Sequence, residues 1–142
     1  MHSVIVEPAA EQDLDEMWES KEPDAEDAVA LIEAALEEIA YDEEFLSRMW
    51  RRREMRHSEP TVEADRIVVQ WHRGRNLHRL KIWDFPENGG GLIGWRVVYA
   101  YDGRCDSYHI LGIIRRDINY DEQHPHFQRI VKDYDALGIP SY

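Results

Sequence analysis

Two apolar segments, Trp95-Arg-Val-Val-Tyr-Ala-Tyr101 and Tyr108-His-Ile-Leu-Gly-Ile-Ile-Arg-Arg-Asp-Ile-Asn-Tyr120, close on clustered arginines and a tyrosine. Upstream, Asn76-Leu-His-Arg-Leu-Lys-Ile-Trp83 alternates so that Leu80 and Ile82 face one way while Arg79, Lys81 and Trp83 face the other. Guanidinium groups present planar, paired donors that match a phosphate oxygen edge, and a phenol adds a neutral donor or a stacking surface. A hydrophobic core has no use for such a set, so a phosphodiester is the ligand these residues suit. Each also has an ordinary role: Arg79 and Lys81 as a solvated strand face, Arg96, Arg115 and Arg116 as partners of nearby carboxylates, Tyr120 as packing.

The positive set belongs to an acidic chain of 142 residues with a formal charge of −12. That total argues against nucleic acid, whose binding rests on Lys and Arg neutralising phosphates. The distribution argues otherwise. Residues 1 to 60 hold 18 Asp and Glu against 6 Lys and Arg, whereas residues 61 to 142 hold 11 of each. One acidic face and one neutral or locally basic face are expected. The lone Cys105 permits no disulfide framework and fits a reducing compartment. No apolar run reaches the roughly 18 residues of a membrane span, and the first 30 residues lack the basic start of an export signal. A cytoplasmic protein without membrane contact is expected, with one domain over residues 1–142.

The elements that must position these residues read as follows. Ser3 to Glu7 is a β-branched strand ending at Pro8, which suits the first position of a helix over 9–20 with Leu14, Met17 and Trp18 as its buried stripe. Asp24 is the N-cap candidate of a second helix to about residue 40, with Val29, Ile32, Leu36 and Ile39 at helical spacing. Asp42 leads into Phe45, Leu46, Met49 and Trp50, with Arg48, Arg51, Arg52, Arg53 and Arg56 on the remaining surface, as a third helix or a continuation of the second. His57 to Thr61 reads as loop, and Ile67-Val-Val-Gln-Trp71 equally as strand or helical turn. The segment 84–94, with Pro86 and Gly89-Gly-Gly91, is a long loop. Strands over 95–101 and 107–114 join at Asp102-Gly103, and Phe127, Ile130, Val131 and Tyr134 mark a last helix over 124–136. The result is an α+β fold: an N-terminal strand plus a three-strand antiparallel meander, N-terminal helices on one face and a C-terminal helix. His109 alternates onto the face of Leu111 and Ile113 as a core or interface residue, and His124-Pro-His126 reads as a helix entry rather than a metal site.

This order, with His78-Arg79-Leu80-Lys81-Ile82, Gly94-Trp95-Arg96-Val97-Val98-Tyr99 and Ile114-Arg115-Arg116-Asp-Ile-Asn-Tyr120, resembles the RelE/ParE superfamily of type II toxin–antitoxin toxins. The likeness covers residues 76–121 well and the N-terminal half in element order alone. It implies, for the RelE branch, metal-independent cleavage of mRNA on the ribosome, the ribose 2′-hydroxyl attacking the adjacent phosphate, with no cofactor. Arg79 and Lys81 match the basic pair of the first meander strand, one of them implicated in proton abstraction. Arg96 matches the arginine that grips the phosphate, Arg115 or Arg116 the one that stabilises the transition state, and Tyr120 the phenol beside the 2′-hydroxyl. His78, Arg75 and Trp95 are candidate RNA contacts, and His78, with an ordinary pKa near 6.5, is a further candidate base. The ParE branch keeps the fold, lacks the nuclease cluster and acts on DNA gyrase. Expected partners are therefore a cognate antitoxin and either ribosome-bound mRNA or gyrase; a non-catalytic interaction protein of the same fold is the alternative. The chain departs from the family in being acidic and longer, with added material at 42–65 and 84–94.

Overall fold

The computed structural model describes residues 1–51 and 61–140, and the backbone alone of a strand over 55–58. Six strands form one sheet in the order β1-β6-β5-β4-β3-β2: β1 (Ser3–Val6), β2 (Met55–Ser58), β3 (Thr61–Arg66), β4 (Leu77–Ile82), β5 (Trp95–Asp102) and β6 (Ser107–Arg115). All neighbours are antiparallel except β1, which runs parallel to β6. The fold is α+β, as the pattern of elements implies, with the N-terminal strand added to the meander β4-β5-β6.

Helices cover both faces. On one, α1 (Pro8–Glu19) and α2 (Ala25–Ala40) bury Leu14, Met17, Val29, Ile32, Leu36 and Ile39 against Leu80, Ile82, Val97, Tyr99 and Ile110. Pro8 opens α1, where a missing N–H costs nothing. Asp24 does precede α2, but in the left-handed region at φ 70° and without a side-chain cap; its carbonyl accepts from Ala28 instead. Trp18, expected in the buried stripe, is 55% exposed. On the other face, α5 (Pro125–Leu137) buries Phe127, Ile130 and Tyr134 against Leu77, Val98, Ala100, Leu111 and Ile114.

The N-terminal insertion differs from expectation. The third helix is a single turn, α3 (Glu43–Leu46), capped by Asp42 accepting from Phe45 N–H at 3.0 Å. Arg52, Arg53 and the side chain of Arg56 lie outside the described residues. The expected loop at 57–61 instead contributes the end of β2 and the start of β3, residues 59–60 lying outside the described set. The ambiguous run 67–71 resolves as α4 (Val68–His72), fixed by the Trp71 indole donating to the Leu77 carbonyl at 3.0 Å.

A β-bulge in β6 decides which residues face which way. Val98 pairs with Gly112 but Tyr99 with Ile110, so Leu111 is the extra residue. Leu111 joins the α5 face and Ile113 the α1–α2 face, so His109, Leu111 and Ile113 do not share a side as simple alternation demands. Gly112 lies against α5, where a Cβ would fall 2.6 Å from both Arg129 Nη2 and Ile130 Cδ1.

β1 ends at Val6 while β6 runs on, so among the described residues no strand lies beside the outer backbone groups of β6 beyond Ile110. Side chains take their place. The Leu111 carbonyl accepts from Arg129 Nη2 at 2.9 Å, and Ile113 N–H donates to Asp13 Oδ2 at 2.9 Å. Asp13 and Arg129 join each other at 2.7 and 3.1 Å, and His126 Nε2 donates to Asp13 Oδ2 at 3.1 Å. One ion pair thus ties α1, β6 and α5 together. His124, at the N-cap of α5, accepts from His126 N–H, so both histidines of the His124-Pro-His126 entry have structural bonds.

Candidate active site

Along β4 the register sends His78, Leu80 and Ile82 toward α1 and α2 and Leu77, Arg79 and Lys81 toward the opposite face. Arg79 pairs with Val98 and Leu80 with Val97, while Trp83 bridges Leu92 and Asp84 N–H donates to the Gly91 carbonyl, so the loop expected over 84–94 is shorter than that span; Arg96 projects on the side of Val98. α5 covers only one end of that face. The other end is an open cleft of about 970 Å³, lined by Arg79, Lys81, Arg96, Arg115, Arg116 and Tyr120, all six of the catalytic candidates. With Arg66 the lining carries six cationic side chains and two acidic ones, Asp65 and Asp117. A locally positive cleft has formed in an acidic protein.

The cations are not equivalent. Arg79, 8% exposed, donates to the Glu63 carbonyl and to Glu63 Oε1, both at 3.1 Å, and lies 3.7 Å from Asp65. Lys81 Nζ sits 4.0 Å from the same Glu63 carboxylate. Arg115 is held by Glu22, lies 3.6 Å from Asp117 and rests over the Trp95 ring at 5.9 Å, which draws it toward the α1–α2 side of the cleft. Arg96, 6% exposed, spends both Nη1 hydrogens on the carbonyls of Ile93 and Trp95, at 3.0 and 3.1 Å. Its orientation is thereby fixed while Nε and Nη2 remain for a ligand. Among the described residues no carboxylate pairs with Arg96 or with the exposed Arg116. Burial lowers the Arg96 pKa and Tyr120 raises it, with Arg116 and Arg79 lowering it further, yet a guanidinium stays charged throughout.

Tyr120 reaches the cleft through an unusual backbone. A 3-10 turn over Arg116–Ile118 follows β6, anchored by Arg116 N–H donating to the Gly94 carbonyl at 2.8 Å. Asn119 and Tyr120 then both adopt left-handed conformations, at φ 50° and 57°. Such residues cost roughly 1 kcal/mol or more each, and they concentrate where a side chain has to be aimed. The ring packs edge-on to Phe127, and the buried hydroxyl lies beside Arg96 without a well-aligned hydrogen bond. Burial raises its pKa more than Arg79 and Arg96 lower it, so the phenol keeps its proton at neutral pH.

The three candidate RNA contacts are not brought to the cleft. Trp95 belongs to the α1–α2 core. Arg75 reaches the other end of the molecule, where Nε donates to Asp135 at 3.0 Å and Nη1 to Gln70 at 3.0 Å. His78 is fully buried on the far face, stacked on Tyr99 at 5.0 Å, its Nε2 donating to Asn76 Oδ1 at 2.6 Å. Burial drives its pKa down to about 3, with Arg66 and Arg79 adding to the shift, so it serves neither as an RNA contact nor as a base.

That histidine has a consequence for stability. Unfolded, it titrates near 6.5 and binds a proton that the folded ring refuses, so its contribution is complete above that pH and declines as pH falls toward about 3. A loss of about 2 kcal/mol between pH 7 and 5 is expected in urea midpoints. His78→Phe should flatten that profile, and equal slopes in both proteins would show that the titrating group lies elsewhere.

Sequence reasoning missed Asp65 on the cleft wall, the buried Glu63 that holds Arg79 behind it, and the lip of α4. The signal was present in Thr61-Val-Glu-Ala-Asp-Arg66, where Val62 and Ala64 alternate with the two acids. Comparison with known proteins adds nothing to the geometry: no family model, curated protein or solved structure matches the chain.

Proposed function

We propose that the cleft binds the backbone of RNA and cleaves it without a metal, in the manner of a RelE-type toxin. The observation that carries this reading is the convergence of Arg79, Lys81, Arg96, Arg115, Arg116 and Tyr120 on one open cleft. In the reaction the ribose 2′-oxygen bonds to phosphorus, the bond to the 5′-oxygen breaks, the departing 5′-oxygen takes a proton from water, and the products are a 2′,3′-cyclic phosphate and a 5′-hydroxyl. The extra negative charge on the phosphoryl oxygens calls for pre-aimed cations, and Arg96 and Arg116 are the two without carboxylate partners among the described residues. Arg116 is thus the stronger choice for the transition-state role that the sequence left open between it and Arg115. Tyr120, holding its proton and buried beside Arg96, packs against that guanidinium rather than acting as base. The 2′-hydroxyl proton goes to Lys81 or to Asp65, which lie opposite Glu63 and Arg79 respectively in the β3–β4 register.

The test is incubation of the purified protein with mRNA, free and on programmed ribosomes, scoring cyclic-phosphate ends, alongside growth on induced expression. Cleavage with growth arrest supports the reading; intact RNA in both settings with normal growth overturns it. Substitution then assigns the base: loss of cleavage in Asp65→Asn implicates Asp65, and loss in Lys81→Met implicates Lys81. A gyrase-directed or purely partner-binding protein would arrest growth or bind its partner without producing cyclic-phosphate ends.

A further inference from the structure

The cleft is not uniformly polar. Val68 and Val69 in the first turn of α4 form one lip of it, and they are 50% and 53% exposed, although exposed valines gain nothing in water. This lip is rigidly held. Ile67 behind it is buried, its N–H donates to the Leu77 carbonyl at 2.9 Å, and the buried Gln70 accepts from Arg75. The first helical turn is therefore a fixed apolar ledge facing a cationic wall.

A free phosphate would use the wall and leave the ledge wet, and about 970 Å³ lies at the upper end of ordinary ligand sites, well beyond the size of one phosphate. A ligand that satisfies both surfaces carries an anionic group and a flat, weakly hydrated body on one short frame. We infer that Val68 and Val69 form a nucleobase-docking subsite, so that the cleft takes an unpaired nucleotide by its base and its phosphate together. The inference rests on the reading of the cleft as an RNA site and gives that site a strand preference. In a duplex the faces of the bases are covered by their neighbours, and only an unpaired base can lie on the ledge.

The test uses fluorescence anisotropy with two labelled oligonucleotides of equal length and phosphate count, a 2′-deoxy oligouridylate that resists cleavage and its abasic counterpart. The native protein is expected to prefer the base-bearing strand by about tenfold, the scale set by covering two half-exposed valines. V68S/V69S should bind the two probes equally, and V68L/V69L, with the apolar ledge restored, should regain the preference. Absence of a preference in the native protein, or an unchanged preference in V68S/V69S with its melting temperature preserved, overturns the subsite. Arg96→Gln separates this from the larger reading. It should weaken both probes, and if neither weakens, the phosphodiester site itself is wrong whatever the valines do.

Discussion

Arg96→Ala is expected to lower RNA cleavage by about 10²–10³-fold, the range seen when a single pre-aimed donor to a developing oxyanion is removed. Two features make this residue the sharpest probe. Its guanidinium is clamped by the Ile93 and Trp95 carbonyls, so no reorganisation is needed when charge develops on the phosphoryl oxygens. It also has no carboxylate partner among the described residues, whereas Arg79 already neutralises Glu63. Arg96→Lys should recover only part of the rate, because an ammonium keeps the charge and loses the fork. The measurement is the initial rate of cyclic-phosphate formation, with circular dichroism to establish that the variant is folded. Full activity in a folded Arg96→Ala would remove the central member of the site.

Asp13→Ala carries the largest expected effect on stability, about 3 kcal/mol in urea denaturation. Asp13 is buried, and the substitution strands three donors at once: the Arg129 guanidinium, the His126 ring and the Ile113 N–H. The loss exceeds that of an ordinary surface ion pair, because the carboxylate replaces strand hydrogen bonding along β6 and links α1 to α5. Asp13→Asn, which still accepts from Ile113 N–H, should lose less. Burial works to raise the Asp13 pKa, but bonds from His126, Arg129 and Ile113 outweigh it and hold the carboxyl below its usual range. Its stabilising contribution is therefore complete above the unfolded value near 3.9 and disappears as pH falls below it. A melting temperature for Asp13→Ala within a degree or two of the native protein would show that the junction is dispensable.

Much of the scaffold could be read from the chain. Alternation in β4, the Asp102-Gly103 turn and the Phe127, Ile130, Tyr134 stripe are local signals, and each element lies within a residue or two of where they put it. What local pattern could not supply was the effect of neighbours. β3 was hidden because Glu63 and Asp65 are poor strand formers alone, and they become favourable only opposite Lys81 and Arg79. The bulge at Leu111 depends on pairing with β5 and reverses the phase of everything after it, so the face of Ile113 was not legible. His78 resembled its basic neighbours in sequence, yet a period of two sends it to the far side of the sheet. Of the candidate site, the six convergent residues were legible, while Glu63, Asp65 and Glu22, which restrain Arg79, Lys81 and Arg115, were not.

The cleft opens on the sheet face opposite α1 and α2, the helices that carry much of the acidic surplus. Such a layout sets the acidic helices on one side of the sheet and the cationic lining on the other. On the proposed RNA reading, a polyanion is repelled on the helical side and drawn toward the cleft, so encounters are oriented before contact forms. Added salt shortens the reach of this field to roughly 10 Å at 0.1 M, and capture should slow accordingly. On the proposed RNA reading, the same surplus discourages adhesion of nucleic acid to the helical side and leaves capture to the cleft.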